Sequence, residues 1–326
     1  MRKKNRSIKK MMKKLCRPLI PIYSFGLRYY GEKHKKWLVK RTYKYYTGKR
    51  LNLDVPQDLN EKINWLKFHE DPYKWARLAD KLFVREYVKQ CGFENILVPL
   101  YGYWDNAQAV IDDLDKMPNE FVLKCNNGNG RIMIISDESG GKNAINRTEL
   151  KRTLESWLST KYAGIEGTEF HYSLIKNYII AEKLLIDNSV RFFSQSLIDY
   201  KIWCFNGEPF GCFVCYDRDF KTKDKEAVFY DLNWIKRPEM FSGNVGLKSI
   251  PKPKNWDKML KIAAALSKNQ PQVRVDLYEI SGKVYFGEMT MTAKGGYMTI
   301  YNQKALLEMG NKIVLDYSAP ENIFAH

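Results

Sequence analysis

The stretch VRVDLYEISGKVYFGEMT, Val273–Thr290, carries the decision about the fold. Two runs rich in β-branched and aromatic residues flank a Ser-Gly pair, the pattern of an antiparallel hairpin. Loop length determines which side chains share a face. A two-residue loop would pair Asp276 with Gly287 and send Glu288 to the opposite side. A three-residue loop, Ser281 to Lys283 with Gly282 left-handed, pairs Asp276 with Glu288, and this is the expected arrangement. Arg274, Asp276, Tyr278, Phe286, Glu288 and Thr290 then form one face, and Val273, Val275, Leu277, Tyr285 and Met289 form the core face. Two carboxylates opposed across a strand pair repel unless a cation lies between them. Oxygen ligands in that arrangement suit Mg²⁺, which keeps several waters and bridges phosphate oxygens. A solvated polar face with Arg274 neutralising Asp276 fits the same alternation.

A second stretch, EFVLKCNNGNGRIMIISD at Glu120–Asp137, places Lys124 inside an apolar run. A buried ammonium without a partner loses its proton or destabilises the fold, so this lysine needs an anion. The residues Asn126 to Arg131 include Gly128 and Gly130, which allow the positive-φ turns that aim successive N–H groups at one point and build an anion nest. Lysine, nest and Mg²⁺ together describe a nucleoside triphosphate site. An edge-strand lysine reaching out to water before an ordinary hairpin loop is the plainer alternative. Lys201, between Tyr200 and Ile202, repeats the anomaly. Asp80-Lys81 could bring another ammonium to phosphates, although residues of this kind commonly form a surface ion pair. His171, among aromatic neighbours, reads as a structural histidine.

The chain has 326 residues, 14% of them aromatic, enough for a sizeable core and more than one subdomain. Its six cysteines are scattered and unpaired in spacing, which indicates a reduced, cytoplasmic protein. No run is long and apolar enough for a membrane-spanning helix. With four histidines and no G-x-S-x-G or G-K-[ST] loop, zinc, serine-hydrolase and P-loop chemistry have no support. Asp113-Leu-Asp115 and Asp217-Arg-Asp219 match the short Asp-x-Asp pattern of glycosyltransferases.

The net charge of +17 is confined to one end: residues 1–50 hold eighteen Lys/Arg and a single acid, Glu32, while the remainder is balanced. A neutral body argues against a nucleic-acid-binding surface, and no nucleic-acid partner is expected. Ile8, Met11, Met12 and Leu15 fall on one helical face among lysines, the pattern of an interfacial helix on an anionic membrane surface. A solvated charged tail fits the same residues.

Residues 60–93 read as helices, with Leu82, Val84, Tyr87 and Val88 at helical spacing and Cys91-Gly92 as the stop. Strands are expected around Ile96–Trp104, Glu120–Asn126, Arg131–Asp137, Asn177–Leu185, Asp199–Asn206, Pro209–Tyr216, Val273–Ile280 and Lys283–Met291, with helices near Arg147–Lys161 and Trp256–Ser267. The class is α+β with largely antiparallel sheets.

The ordered blocks LADKLFVREYV, EFVLKCNNGNG, FHYSLIKNYIIAEKLL, DYKIWCFNG and VRVDLYEISGKVYFGEMT resemble the ATP-grasp superfamily, and within it the TupA-like proteins of teichuronopeptide and surface-polysaccharide biosynthesis. The resemblance spans about Asn60 to Tyr297. It implies two α+β subdomains clasping ATP after a basic helical arm: residues 1–50 as arm, 51–115 as a helical N-terminal part, 116–185 as a lid and 186–326 as the central subdomain with the metal site. It further implies that Lys81 and Lys124 contact phosphates with the Asn126, Gly128 and Gly130 loop, and that Glu182, Lys183, Leu184 and Leu185 form the adenine hinge. Asp276 and Glu288 would hold Mg²⁺, with Thr290 where the superfamily commonly has a metal-binding asparagine. Arg274 and Lys201 would act on the transferred phosphoryl group. The implied reaction is ATP-dependent carboxylate–amine ligation through an acyl-phosphate, on a uronic-acid-containing glycan or its lipid-linked precursor, with an amino acid or amine as co-substrate. A glycan kinase or a nucleotide-sugar glycosyltransferase is the alternative. The enzyme would sit in the cytoplasm, peripherally on the inner face of the membrane through its arm.

Overall fold

The computed structural model describes residues 29–128, 130–188, 192–219, 226–243 and 248–325. The apolar face expected at Ile8, Met11, Met12 and Leu15 lies outside them. After helical residues 29–33, the described chain forms α1 (Lys35–Thr47), α2 (Leu59–His69), α3 (Pro72–Ala79) and α4 (Val84–Gln90). Their boundaries follow local chemistry. Asp58 accepts from the Glu61 N–H and Glu61 reaches back to cap the chain before α2, and Asp71 caps α3 ahead of Pro72. Gly92, at φ +84, follows α4 as expected.

A four-stranded antiparallel sheet follows, in the order β1 (Leu100–Trp104), β4 (Ile179–Glu182), β2 (Phe121–Cys125), β3 (Ile132–Ile135). Helices α5 (Ala107–Asp113) and α6 (Arg147–Ser159) cover one face, packing Val110, Leu114 and Leu154 on Phe121, Leu123 and Ile179. Because β1 pairs with β4, residues 100–113 belong structurally with the 116–185 unit, not with the helical span 51–115 as expected. Neither α5 nor β1's place in this sheet was visible in the sequence, since both are too short to carry a periodic signal.

The second sheet has the order β7 (Glu226–Tyr230), β6 (Glu208–Tyr216), β5 (Asp199–Phe205), β8 (Gln272–Ile280), β9 (Lys283–Thr290), all antiparallel. Helix α7 (Trp256–Leu266) packs Met259, Ile262 and Leu266 into its core, joined by α8 (Gln303–Asn311). Strand β7 and helix α8 were not expected. The span 1–50 also divides: α1 buries Val39, Thr42 and Tyr43 and shares a cluster with Phe68, Phe170, Tyr297 and Phe324. Its second half is therefore part of the folded body, because the apolar residues among its lysines fall on one side.

The hairpin corrects the loop and keeps the pair. Ile280 pairs with Lys283, so the turn is the two-residue Ser281-Gly282, with both φ values positive (50° and 78°). Asp276 nevertheless pairs with Glu288, because a bulge falls between the Asp276–Glu288 and Leu277–Phe286 pairs and leaves Gly287 without a partner. Beyond the bulge the faces switch. Phe286 joins Leu277 in the core and Tyr285 joins Tyr278, the reverse of the expected placement. Gly287 fits the bulge because a Cβ there would stand 3.0 Å from both the Asp276 carbonyl oxygen and the Tyr278 ring. Gly287→Val should therefore destabilise the protein by about 1–3 kcal/mol, measured by denaturant unfolding, whereas Gly287→Ala should cost less.

Candidate functional site

The Asp276–Glu288 pair sits where the two sheets meet. From the central sheet, Arg274 donates from Nε to Asp276 Oδ1 (2.7 Å) and from Nη2 to Asp276 Oδ2 (2.8 Å) and Thr290 Oγ1 (3.1 Å), with Glu288 Oε1 at 3.5 Å. Lys201 on β5 faces Asp276 directly in register. Its Nζ lies 2.5 Å from Asp276 Oδ2 and 3.6 Å from Asp199 Oδ2, and Arg218 pairs with Asp199. Burial works against the Lys201 charge, but Asp199 and Asp276 more than offset it and hold its pKa above the ordinary lysine value.

The other half comes from the turn before α4 and from the four-stranded sheet. Asp80 is buried and accepts from the Leu82 and Phe83 N–H groups and from Asn126 Nδ2, fixing the turn that presents Lys81. Lys81 Nζ then donates to the Gly128 carbonyl (2.7 Å) and lies 3.5 Å from Glu288 Oε2. On β2, Lys124 reaches diagonally to Glu182 of β4, Nζ to Oε2 2.5 Å, and Arg85 takes the other oxygen at 3.3 Å. Burial alone would raise the Glu288 pKa; Lys81, Lys201, Arg274 and Lys124 instead bring it down to about 2. One carboxylate thus feels cations from both sheets. The linked ion pairs join Lys81, Arg85, Lys124, Lys201, Arg218 and Arg274 to Glu182, Asp199, Asp276 and Glu288, and with buried Asp80 beside Lys81 the balance is an excess of one positive charge.

The expected site residues fare unequally. Lys81, Arg274, Asp276, Glu288, Thr290 and Lys201 are brought together, with Lys124 within electrostatic reach. Asn126 has its polar groups engaged within the chain: its backbone N–H goes to Tyr178 O, and its amide goes to Asp80 and Lys176 O while accepting from Tyr178 N–H. It is a buried strut between strand ends. Gly128 and Gly130 do have positive φ (66° and 77°), and the Tyr162 ring lies against Gly128 where a Cβ would clash. In the expected hinge, the Glu182 carboxylate is committed to Lys124 and Arg85 and the Lys183 N–H to Pro99 O. Leu184 and Leu185 continue past the end of β4 as half-buried, non-ladder backbone.

Arg85, Asp199 and Arg218 were missed. Arg85 lies one helical turn beyond Lys81, and Asp199 is two residues before Lys201 on the same strand face, so both spacings were readable. A second unexpected cluster lies behind the site. Lys67, fully buried, donates to Asn64 Oδ1 (2.7 Å) and to Gly295 O (2.7 Å), holding the loop after β9 in which Lys294, Gly295 and Gly296 all have positive φ. Burial lowers its pKa to about 7, opposed by Glu169, which accepts from Thr292 Oγ1 (2.5 Å). His171 is buried beside Trp75 with its Nε2 unpartnered, and its pKa falls to about 3.

A family model, TupA-like ATPgrasp, matches residues 61–314. The chain belongs to the TupA-like ATP-grasp family. Among solved structures it is similar in fold to D-alanine–D-alanine ligase from Bacillus anthracis complexed with ATP (14% identity, TM-score 0.38, covering 72% of this chain and 60% of that one). It is also similar to D-alanine–D-alanine ligase from Helicobacter pylori (15%, 0.42, 78% and 69%) and to the ATP-grasp ligase PsnB complexed with its minimal precursor (10%, 0.39, 75% and 62%). The chain spans about 60% of the length of the first of these. A search of curated proteins found no match. ATP is the nucleotide of an ATP-grasp chain, and the donor set fits it together with Mg²⁺. Two opposed carboxylates and a hydroxyl supply hard oxygen ligands, and Mg²⁺ needs only one or two protein carboxylates when phosphates and water complete its shell. Among the described residues no group of three or more His, Cys, Asp or Glu gathers as an all-protein cage.

Two expectations follow. Lys124→Ala should weaken Mg-ATP binding at least tenfold by calorimetry. It should also lower stability by roughly 2 kcal/mol, because Glu182 keeps only Arg85 in a buried setting. For His171, the depressed native pKa means the unfolded chain takes up a proton below pH 6.5 that the native state refuses until about 3. Stability is thus lost as pH falls across that window, by at most about 5 kcal/mol. His171→Phe should flatten this acid limb in urea titrations run from pH 7 to 4.

Proposed function

We propose that the protein is an ATP-dependent carboxylate–amine ligase that forms an amide on a uronic-acid-containing surface polysaccharide or its lipid-linked precursor. The observation that carries the reading is the positive excess assembled from both sheets around the Asp276–Glu288 pair, a buried site that wants a polyanion. Mg²⁺, held by Glu288 and Asp276 with Thr290 alongside, would screen the phosphates and draw charge off the group being transferred. Asp276 is saturated by Arg274 and Lys201 as the chain stands, so these two cations have to release it and turn to phosphate oxygens. Glu288, held at longer distances, is the readier ligand. Lys81 and Lys124 would neutralise the remaining phosphate charge, the Gly128 and Gly130 loop would cover it, and the Leu184–Leu185 backbone beyond β4 would meet the base.

The acceptor carboxylate attacks the γ-phosphorus and ADP leaves; an amine then attacks the acyl carbon of the resulting acyl-phosphate, releasing phosphate and a proton. Positioning and charge stabilisation supply most of such catalysis, and no histidine base is needed. The basic residues 1–30 fit an enzyme working at the inner, anionic face of the cytoplasmic membrane, where a lipid-linked acceptor would be presented.

The test uses the full chain with Mg-ATP, glucuronate oligosaccharides and hydroxylamine. A ligase yields a glycan hydroxamate together with ADP and phosphate, and Arg274→Ala abolishes it. A stable phosphate ester with no hydroxamate would assign a glycan kinase instead, and transfer from a nucleotide sugar with ATP untouched would assign a glycosyltransferase.

A further inference from the structure

Helix α1 turns one face inward, and among the described residues the other is exposed apart from ring contacts with the turn before it. Val39, Thr42 and Tyr43 are buried. On the opposite side Trp37, Arg41, Lys44 and Tyr45 recur at helical spacing and are exposed, Trp37 at 36% and Tyr45 at 76%. The preceding turn adds exposed Tyr29 and Tyr30, with the Tyr30 ring edge-on to Trp37 at 4.9 Å. Cations interleave the rings: the Arg41 guanidinium lies 5.9 Å from the Trp37 ring and Lys33 Nζ 4.7 Å from the Tyr29 ring. From Lys33 to Leu53 the sequence has no acidic residue.

We infer that this outward face of α1 is a docking surface for an anionic phospholipid leaflet, with Trp37 and Tyr45 at headgroup depth and Arg41 and Lys44 against lipid phosphates. Indole and phenol rings have an apolar body and a polar tip and partition to the membrane–water boundary, while each nearby cation adds attraction to an anionic surface. The complementarity extends to function. The inner face of the same helix stacks Tyr46 on Tyr297 (5.7 Å), and Tyr297 directly follows the positive-φ loop that leaves β9. A leaflet on the outer face therefore lies about one helix diameter, roughly 10 Å, from the segment bordering the site. In this respect the inference rests on the reading that the acceptor is lipid-linked.

Fluorescence tests it without deleting any segment. The full chain is mixed with phosphatidylglycerol vesicles, with and without brominated acyl chains, and compared with Trp37→Phe and with Arg41→Glu/Lys44→Glu. Bromolipid should quench the parent, and Trp37→Phe should lose most of that quenching although seven other tryptophans remain. The double charge reversal should weaken vesicle affinity at least tenfold, with Mg-ATP affinity by calorimetry unchanged. Equal quenching in Trp37→Phe overturns the inference, as does unchanged vesicle affinity after charge reversal. Binding of an RNA oligonucleotide but not vesicles, abolished by the same reversal, overturns it too. Failure here leaves the hydroxamate assay standing, and failure of that assay leaves the vesicle result standing.

Discussion

The architecture hinges on one ammonium group. Lys81 Nζ is shared between the Gly128 carbonyl of the loop after β2 and the Glu288 carboxylate of the central sheet. It is a polar bridge between the two halves of the candidate site. Its own placement is tightly determined: Asp80 braces the turn from one side, and the Lys81 N–H is held by the Asn126 carbonyl from the other. Asn126 is in turn locked to the chain entering β4. The Gly128 loop, the start of α4 and the end of β2 are therefore tied together by hydrogen bonds. The charged contact to Glu288, at 3.5 Å, is longer than the Lys81 hydrogen bond to Gly128.

This contact belongs to the wider cluster of ion pairs. Every carboxylate in the cluster is already answered by a cation, yet positive charge remains over. A bound polyphosphate would take Lys81 and Lys124 away from Glu288 and Glu182, and the carboxylate freed at Glu288 is the one positioned for a divalent ion. Exchange of internal ion pairs for ligand contacts keeps each charge compensated throughout, which a site of bare lysines could not do in so buried a setting. Behind it, Lys67 holds the positive-φ loop by its carbonyl, so the strand end that carries Thr290 is supported from below by a group whose charge itself depends on Glu169.

Much of this was legible in the chain. Lys124 and Lys201 stood out because a lysine between apolar strand residues demands an anion, and both have one, although it is an internal carboxylate in each case. The α+β class and most strands followed from alternation. What escaped had physical reasons. Short elements such as α5 and β7 carry too few residues to show a period. Asn126 looked like part of a glycine-rich nest because the sequence does not reveal that its amide is consumed by residues about fifty positions away. The turn was misjudged by one residue for a subtler cause. Eleven residues separate Asp276 from Glu288, an odd number, and an antiparallel pair can absorb an odd residue either at the tip or along the strand. The sequence specifies the parity, and only packing selects the place.

That choice of place has a consequence for how the hairpin tolerates change. With the odd residue at Gly287, the outer part of the hairpin runs in one frame and the part bearing Asp276, Glu288 and Thr290 runs in another, separated by a single frameshift next to the carboxylates. Moving the odd residue to the tip, so that Gly287 pairs with Leu277, would keep the Asp276–Glu288 pairing at the site but turn Phe286 out of the core and Tyr285 into it. The two ends of the hairpin are therefore written under different rules, and a relocation of the odd residue that is silent by its effect on the site is legible only in what it does to the two aromatic residues beyond it.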